Sequence, residues 1–125
     1  MTTTHDTVTA FYAGLRNRDF AAMRRTLHED LDIQGPIKGL DSADALAAVL
    51  TKMSQLTKHI RVEHLFVDGQ RACCVYSLIT DTPIGASPVT EYFEVQDGRI
   101  TLLHAHFDAR PWDALFSGGP RERTS

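Results

Sequence analysis

The sequence of 125 residues predicts an α+β fold, with three N-terminal helices packed against one face of a curved, mostly antiparallel sheet of four to six strands. Three observations carry this. Apolar residues recur with a helical period of 3.6 as far as Met53, and from Ile60 onward the period changes to 2. Asp68-Gly69 and Asp97-Gly98 stand between alternating segments as hairpin turns. Strands do not alternate with helices, which argues against a parallel β-α-β sheet.

Val8, Phe11, Tyr12 and Leu15 lie at i, i+3, i+4 and i+7 behind a run of threonines and an aspartate able to cap, which predicts a first helix over Thr4 to Arg18. Asp19 is a cap for a second, shorter helix with Phe20, Met23 and Leu27 on one face, ending near His28. Leu31 to Gln34 alternates as a short strand and is broken by Gly35-Pro36. A third helix follows, capped by Asp41 or Ser42, with Leu46, Val49, Leu50 and Met53 on one face. Four strands then run over Ile60 to Val67, Arg71 to Thr80, Val89 to Gln96 and Arg99 to Asp108. Periodicity is lost after Trp112, so a single domain is expected with an ordered core over 5–112 and a tail over 113–125 that frays or drapes over a partner.

Composition narrows the function. A chain of this length builds one core and one modest pocket. The net charge is -3 with Lys and Arg scattered, so there is no basic stripe for nucleic acid. The N-terminus lacks a basic-then-apolar leader and no apolar run is long enough to cross a bilayer, so a cytoplasmic protein with no membrane partner is expected. Cys73 and Cys74 are adjacent on a strand and point to opposite faces, which makes a disulfide between them strained and suits small buried apolar residues in a reducing compartment.

The hairpin from Thr90 to Pro111 holds the chemistry. Glu91 shares a strand face with Val89, Phe93 and Val95, and a carboxylate on an apolar face is costly unless paired, protonated or employed. Desolvation there raises its pKa from about 4.3 toward neutrality, where a carboxyl group serves as proton donor or base. A hydrated place at a pocket rim, or pairing with an Arg, is the competing reading. Two registers are open. A two-residue Asp97-Gly98 turn sets Glu91 opposite His104 as an acid-base dyad. A three-residue Gln96-Asp97-Gly98 loop with a bulge sets Glu91 against Leu103 and turns His104 and His106 outward, and this second register is favoured. His104, His106 and Asp108 alternate as metal ligands also would, but no further ligand pair stands at motif spacing, so neither metal nor cofactor is expected. Gln34 beside the expected pocket offers an amide to a ligand carbonyl or hydroxyl, or else is solvated at the rim. His64, Tyr76 and Tyr92 read as packing residues.

Phe11-Tyr12-Ala13-Gly14-Leu15 followed by Arg18-Asp19-Phe20, then Gly35-Pro36 and Gly39, then Tyr92 to Ile100, resemble in order and spacing the NTF2-like superfamily of SnoaL-like and ketosteroid-isomerase-like domains. The resemblance spans Val8 to Trp112. It implies a cone-shaped fold, a homodimer joined through the outer sheet face where His104 and His106 lie, and a pocket between the helices and the inner sheet face. Lining from Phe11, Tyr12, Gln34, Met53, Phe93, Leu103 and Phe107 is expected, around a small, mostly apolar or carbonyl-bearing metabolite. Family acids are only partly kept. The oxyanion-binding Tyr of the ketosteroid isomerases falls on Phe11, their base on Gly35 and their donor acid on Glu91, so that mechanism is disfavoured. The essential Asp of the SnoaL-type cyclases and epoxide-hydrolase-like enzymes falls on Ala105. Two functions stay open: an isomerase-, cyclase-, lyase- or hydrolase-type acid-base enzyme using Glu91, and a non-catalytic binding or dimerisation domain.

Overall fold

A computed structural model describes residues 3–116. The elements run α1 Thr4–Arg16, α2 Phe20–Arg25, β1 Leu27–Gln34, α3 Ala43–Gln55, β2 Thr57–Asp68, β3 Arg71–Thr80, β4 Ala86–Gln96, β5 Arg99–His106 and α4 Arg110–Phe116. The five strands form one sheet in the order β1-β5-β4-β3-β2, antiparallel except where β1 lies parallel to β5. This is the expected α+β arrangement.

Capping sets the helix starts. The Thr3 hydroxyl accepts from the Asp6 amide at 3.0 Å while the Asp6 carboxylate answers the Thr3 amide, a reciprocal cap for α1. Asp19 and Ser42 cap α2 and α3, which settles the choice between Asp41 and Ser42. α1 stops two residues earlier than expected. The amides of Arg18 and Asp19 turn back onto the carbonyls of Leu15 and Gly14, and Arg18 takes the left-handed conformation at φ 57°. α2 ends at Arg25 rather than near His28, and β1 begins at Leu27 rather than Leu31. The early start follows from pairing: Leu27 lies beside Ile100, and only after an irregular stretch does Asp32 meet Leu102. α4 was not predicted, because its single buried anchor, Trp112, makes no periodic face. The Trp112 indole donates to the Ser87 hydroxyl at 3.0 Å and ties the helix to β4. The rest of the expected tail, 117–125, lies outside the described residues.

The decisive local feature is the β4–β5 hairpin. Asp97 and Gly98 both have positive φ, 51° and 75°, and Gln96 pairs with Arg99, so the turn has two residues. The expected three-residue loop does not form. A bulge lies one step further on: Val95 pairs with Ile100 but Glu94 with Leu102, which leaves Thr101 unopposed, its hydroxyl bonded to the Glu94 carbonyl. That extra residue sends His104 and His106 to the outer face, as the bulged register required, but sets Glu91 opposite Ala105 and Phe93 opposite Leu103.

The core lies between α1, α3 and the inner sheet face, with Val8, Phe11, Met23, Phe93, Ile100 and Trp112 fully buried. α1 and α2 cross closely at Gly14, where an added Cβ would stand 2.8–2.9 Å from the backbone N and Cα of Met23. Backbone cannot yield as a flexible side chain does. Gly14→Ala is therefore expected to destabilise the fold by about 1–3 kcal/mol, read as a lower denaturation midpoint in urea with an unchanged slope.

Candidate active site

Glu91 projects from β4 into the space between the sheet and the helices and is 3% exposed. Its neighbours across the sheet are Cys74 on β3 and Ala105 on β5, both small, so the carboxyl group stands in a gap that larger side chains would fill. The Tyr12 hydroxyl donates to Glu91 Oε1 at 2.5 Å. Tyr76, two residues along β3 from Cys74, directs a second hydroxyl at the same carboxyl group and acts in the same sense on its proton affinity.

These groups oppose one another energetically. Burial raises the Glu91 pKa, and the hydroxyls of Tyr12 and Tyr76 pull it back by stabilising the ionised form; the balance stands at about 7. Burial and the adjacent carboxylate push Tyr12 and Tyr76 well above the usual phenol range, so both remain donors at neutral pH. Burial likewise raises the Cys74 thiol to about 11, which keeps it protonated and unreactive.

Tyr12 is also held by rings. It meets Phe11, Tyr76 and Phe93 edge-on with centroids 5.1, 5.0 and 6.0 Å away. A Tyr packed this way has little freedom to leave the carboxyl group.

Glu91 and Tyr76 form part of the wall of a narrow apolar cavity roofed by Leu46, Val49, Leu50 and Met53 of α3. Its floor is the inner sheet face, with Leu78, Val89, Leu103 and Ala105, and its rim is the Gln34–Ile37 segment with Phe107. The void is about 50 Å³, room for a few waters. Among the described residues, Gln34, Ser54, Thr57, Tyr76 and Glu91 are the polar ones in the lining, and no Lys, Arg or His is with them.

Among the residues singled out from sequence, Gln34, Met53, Leu103 and Phe107 stand in this wall. Phe11, Tyr12 and Phe93 lie one layer behind it in the core, where they hold Glu91 rather than face the void. Gln34 pairs with His104 at the end of β1 and is exposed at the rim. Gly35 and Ala105, which fall on two acid positions of the resembling enzymes, touch: a Cβ on Gly35 would lie 3.5 Å from the Cβ of Ala105. Both lost acids thus belong to one patch of wall beside Glu91. Tyr76, read from sequence as a packing residue, also stands in this wall, carried to the face of Glu91 by the alternation Ala72, Cys74, Tyr76, Leu78. Among the described residues no three His, Cys, Asp or Glu side chains gather closely enough to hold a metal ion.

Residues 8–103 match the family described as SnoaL-like domain. No curated protein matches the chain. Among solved structures, a protein from Kribbella flavida DSM 17836 is 29% identical, with 94% of this chain and 97% of that one covered and a TM-score of 0.82. An NTF2-like protein of unknown function from Cytophaga hutchinsonii is 24% identical over 90% and 96%, with a TM-score of 0.74. An LEH-like epoxide hydrolase from M. tuberculosis is 26% identical over 90% and 94%, with a TM-score of 0.66.

The raised pKa makes a stability statement. The folded protein keeps the Glu91 proton that the unfolded chain releases above about 4.5, so wild-type stability falls as pH rises from about 4.5 to 7 and stays lower beyond. Glu91→Gln, neutral at every pH, should match wild type near pH 4 and exceed it by up to roughly 3 kcal/mol near pH 8. Denaturant melts across that range measure the difference, and a pH-independent gap would contradict the assignment.

Proposed function

The chain belongs to the SnoaL-like domain family, and from that premise we propose that it is an acid-base enzyme acting on a small, mostly apolar, carbonyl-bearing metabolite held in the cavity above Glu91. The observation that carries this reading is a carboxyl group buried in an apolar wall, with a pKa of about 7, hydrogen-bonded to a packed tyrosine. Near pH 7 such a group exists in both protonation states, so one residue takes a proton at one carbon and returns it at another.

Tyr12 holds Oε1, and the carboxyl group borders the cavity in which the substrate lies. The carboxylate removes a proton from carbon next to the substrate carbonyl, and the electron pair passes to the carbonyl oxygen. As Glu91 takes up the proton and no longer needs a second donor, the Tyr76 hydroxyl turns from the carboxyl group to the enolate oxygen. Where the substrate carries a β,γ double bond, the proton then returns from Glu91 to the γ carbon as the double bond moves into conjugation, with no net change in charge; without one it returns to the same carbon, which is read as exchange. A reaction needing separate acid and base carboxyl groups fits less well, because Glu91 is the single carboxyl in the lining and Gly35 and Ala105 carry none.

The outer sheet face bears Tyr92, Leu102, His104 and the 60% exposed Phe66 stacked on His64, and His104 Nε2 is buried there without a hydrogen-bond partner among the described residues. A second copy of the chain on this face is the partner we propose. The wild type is then expected to sediment as a dimer and Leu102→Arg as a monomer; a monomeric wild type refutes the pairing.

Catalysis is tested by α-proton exchange of 2-cyclohexenone in D₂O followed by NMR. Glu91→Gln should slow protein-catalysed exchange on the order of a hundredfold or more. The wild-type rate should rise with pH through an inflection near 7, and Tyr12→Phe should move that inflection upward, because a group that favours the ionised form is lost. Exchange indifferent to Glu91→Gln would instead establish the alternative, a non-catalytic binding domain.

A further inference from the structure

One buried titratable side chain beside Glu91 takes no part in the proton transfer described above. Cys74 on β3 is fully buried and stands directly across the sheet from Glu91 on β4, with Leu65 of β2 on its other side. Residues directly opposite on neighbouring antiparallel strands hold their Cβ atoms about 4.5–5.5 Å apart, so the thiol lies beside the carboxyl group. Its hydrogen-bonding partner in the cluster is the Tyr12 hydroxyl, while Glu91 reaches it through charge alone.

The direction of these bonds follows from what each group can give. The single proton of the Tyr12 hydroxyl is engaged by Glu91 Oε1 at 2.5 Å, and its oxygen can still accept. Burial holds the Cys74 thiol protonated, so it is the thiol that donates, to the Tyr12 oxygen. A bond donated into a hydroxyl polarises it and strengthens the bond that the hydroxyl itself donates, by about 10–30%. Few groups compete for this role. Among the described residues α1 brings Tyr12 to the carboxyl group and β3 brings Cys74 and Tyr76, whereas the cavity lining from β1, β2, β5 and α3 carries no titratable side chain.

We propose that Cys74 is a positioning residue for proton transfer: its thiol donates to the Tyr12 oxygen and, through Tyr12, stabilises the ionised form of Glu91. No proton leaves either donor. This deepens the enzyme reading and rests on it for its consequence, since a carboxyl group that ionises more readily is a base at lower pH. A thiol on the β3 side of Glu91, where the β5 side has only Ala105, then has a physical reason.

Carbon-13 NMR of the whole chain labelled at its glutamate carboxyl groups titrates Glu91 without substrate, its resonance being the one that Glu91→Gln lacks. The wild-type midpoint should stand at about 7. Cys74→Ala should titrate about 0.3 higher, and Cys74→Ser, nearly the same size but with a donor, should return to the wild-type midpoint or below it. A thiol that only fills space gives a different result, because both smaller side chains let water nearer the carboxyl group and lower the midpoint alike. If Cys74→Ser titrates no lower than Cys74→Ala, the relay is overturned. In a Tyr12→Phe background Cys74→Ala should change nothing, and an undiminished rise there means that the thiol acts on Glu91 directly, which overturns the relay as well. Exchange of 2-cyclohexenone keeps the two readings apart. Its pH inflection in Cys74→Ala should move upward with the titration, whereas a titration that shifts while the wild type catalyses no exchange leaves the relay standing and removes the enzyme.

Discussion

One carboxyl group in an apolar wall organises this protein. Ionised and alone at 3% exposure, Glu91 would be prohibitively costly, and the structure answers with the hydroxyls of Tyr12 and Tyr76. Those hydroxyls in turn require positions. Tyr12 is fixed by the edge-on contacts of Phe11, Tyr76 and Phe93, and Phe11 and Phe93 are themselves fully buried. The aromatic core of the domain and the support of the candidate site are therefore the same atoms. Stability and site chemistry trade against each other at this point, because the burial that brings the carboxyl near neutrality also penalises the folded state wherever it ionises.

The second constraint is a single unpaired residue. Without the bulge at Thr101, the two-residue turn at Asp97-Gly98 would carry β5 forward with His104 opposite Glu91. With it, Ala105 faces the carboxyl group and the histidines lie on the outer face. The bulge thus divides the molecule into an inner face with one acid and an outer face with imidazoles. It also brings Ala105 against Gly35, so two positions that carry acids in resembling enzymes adjoin here as bare wall.

Charge follows the same division. Among the described residues that line the cavity Glu91 is the single acid, and a group of basic residues stands outside it, at the end of α1 and the start of β2. Arg18 is the meeting point of backbone and electrostatics, since closing α1 needs a left-handed residue and that residue's cation joins the basic group. The sheet face away from the helices keeps Phe66 and His104 for a different surface.

Local pattern was enough for the α+β class, the capped helices and the candidate acid. The 3.6 period of Val8, Phe11, Tyr12 and Leu15, the alternation around Glu91 and the Asp-Gly turns are properties of neighbouring residues, legible in a linear string. What needed tertiary structure was every relation between distant segments. Tyr12 and Glu91 are 79 residues apart, so nothing local says that a helix-one hydroxyl meets a strand carboxyl. Tyr76 looked like packing because its role depends on which strand lies beside β4. The short helix at Trp112 depends on Ser87, and the start of β1 on Ile100, partners that periodicity cannot name. The Thr101 bulge is the sharpest case. Both registers satisfied the alternation within the strand, and neither forms: the two-residue turn is kept and an extra residue enters after it, an arrangement that buries Ile100 and Leu103 together against the helices.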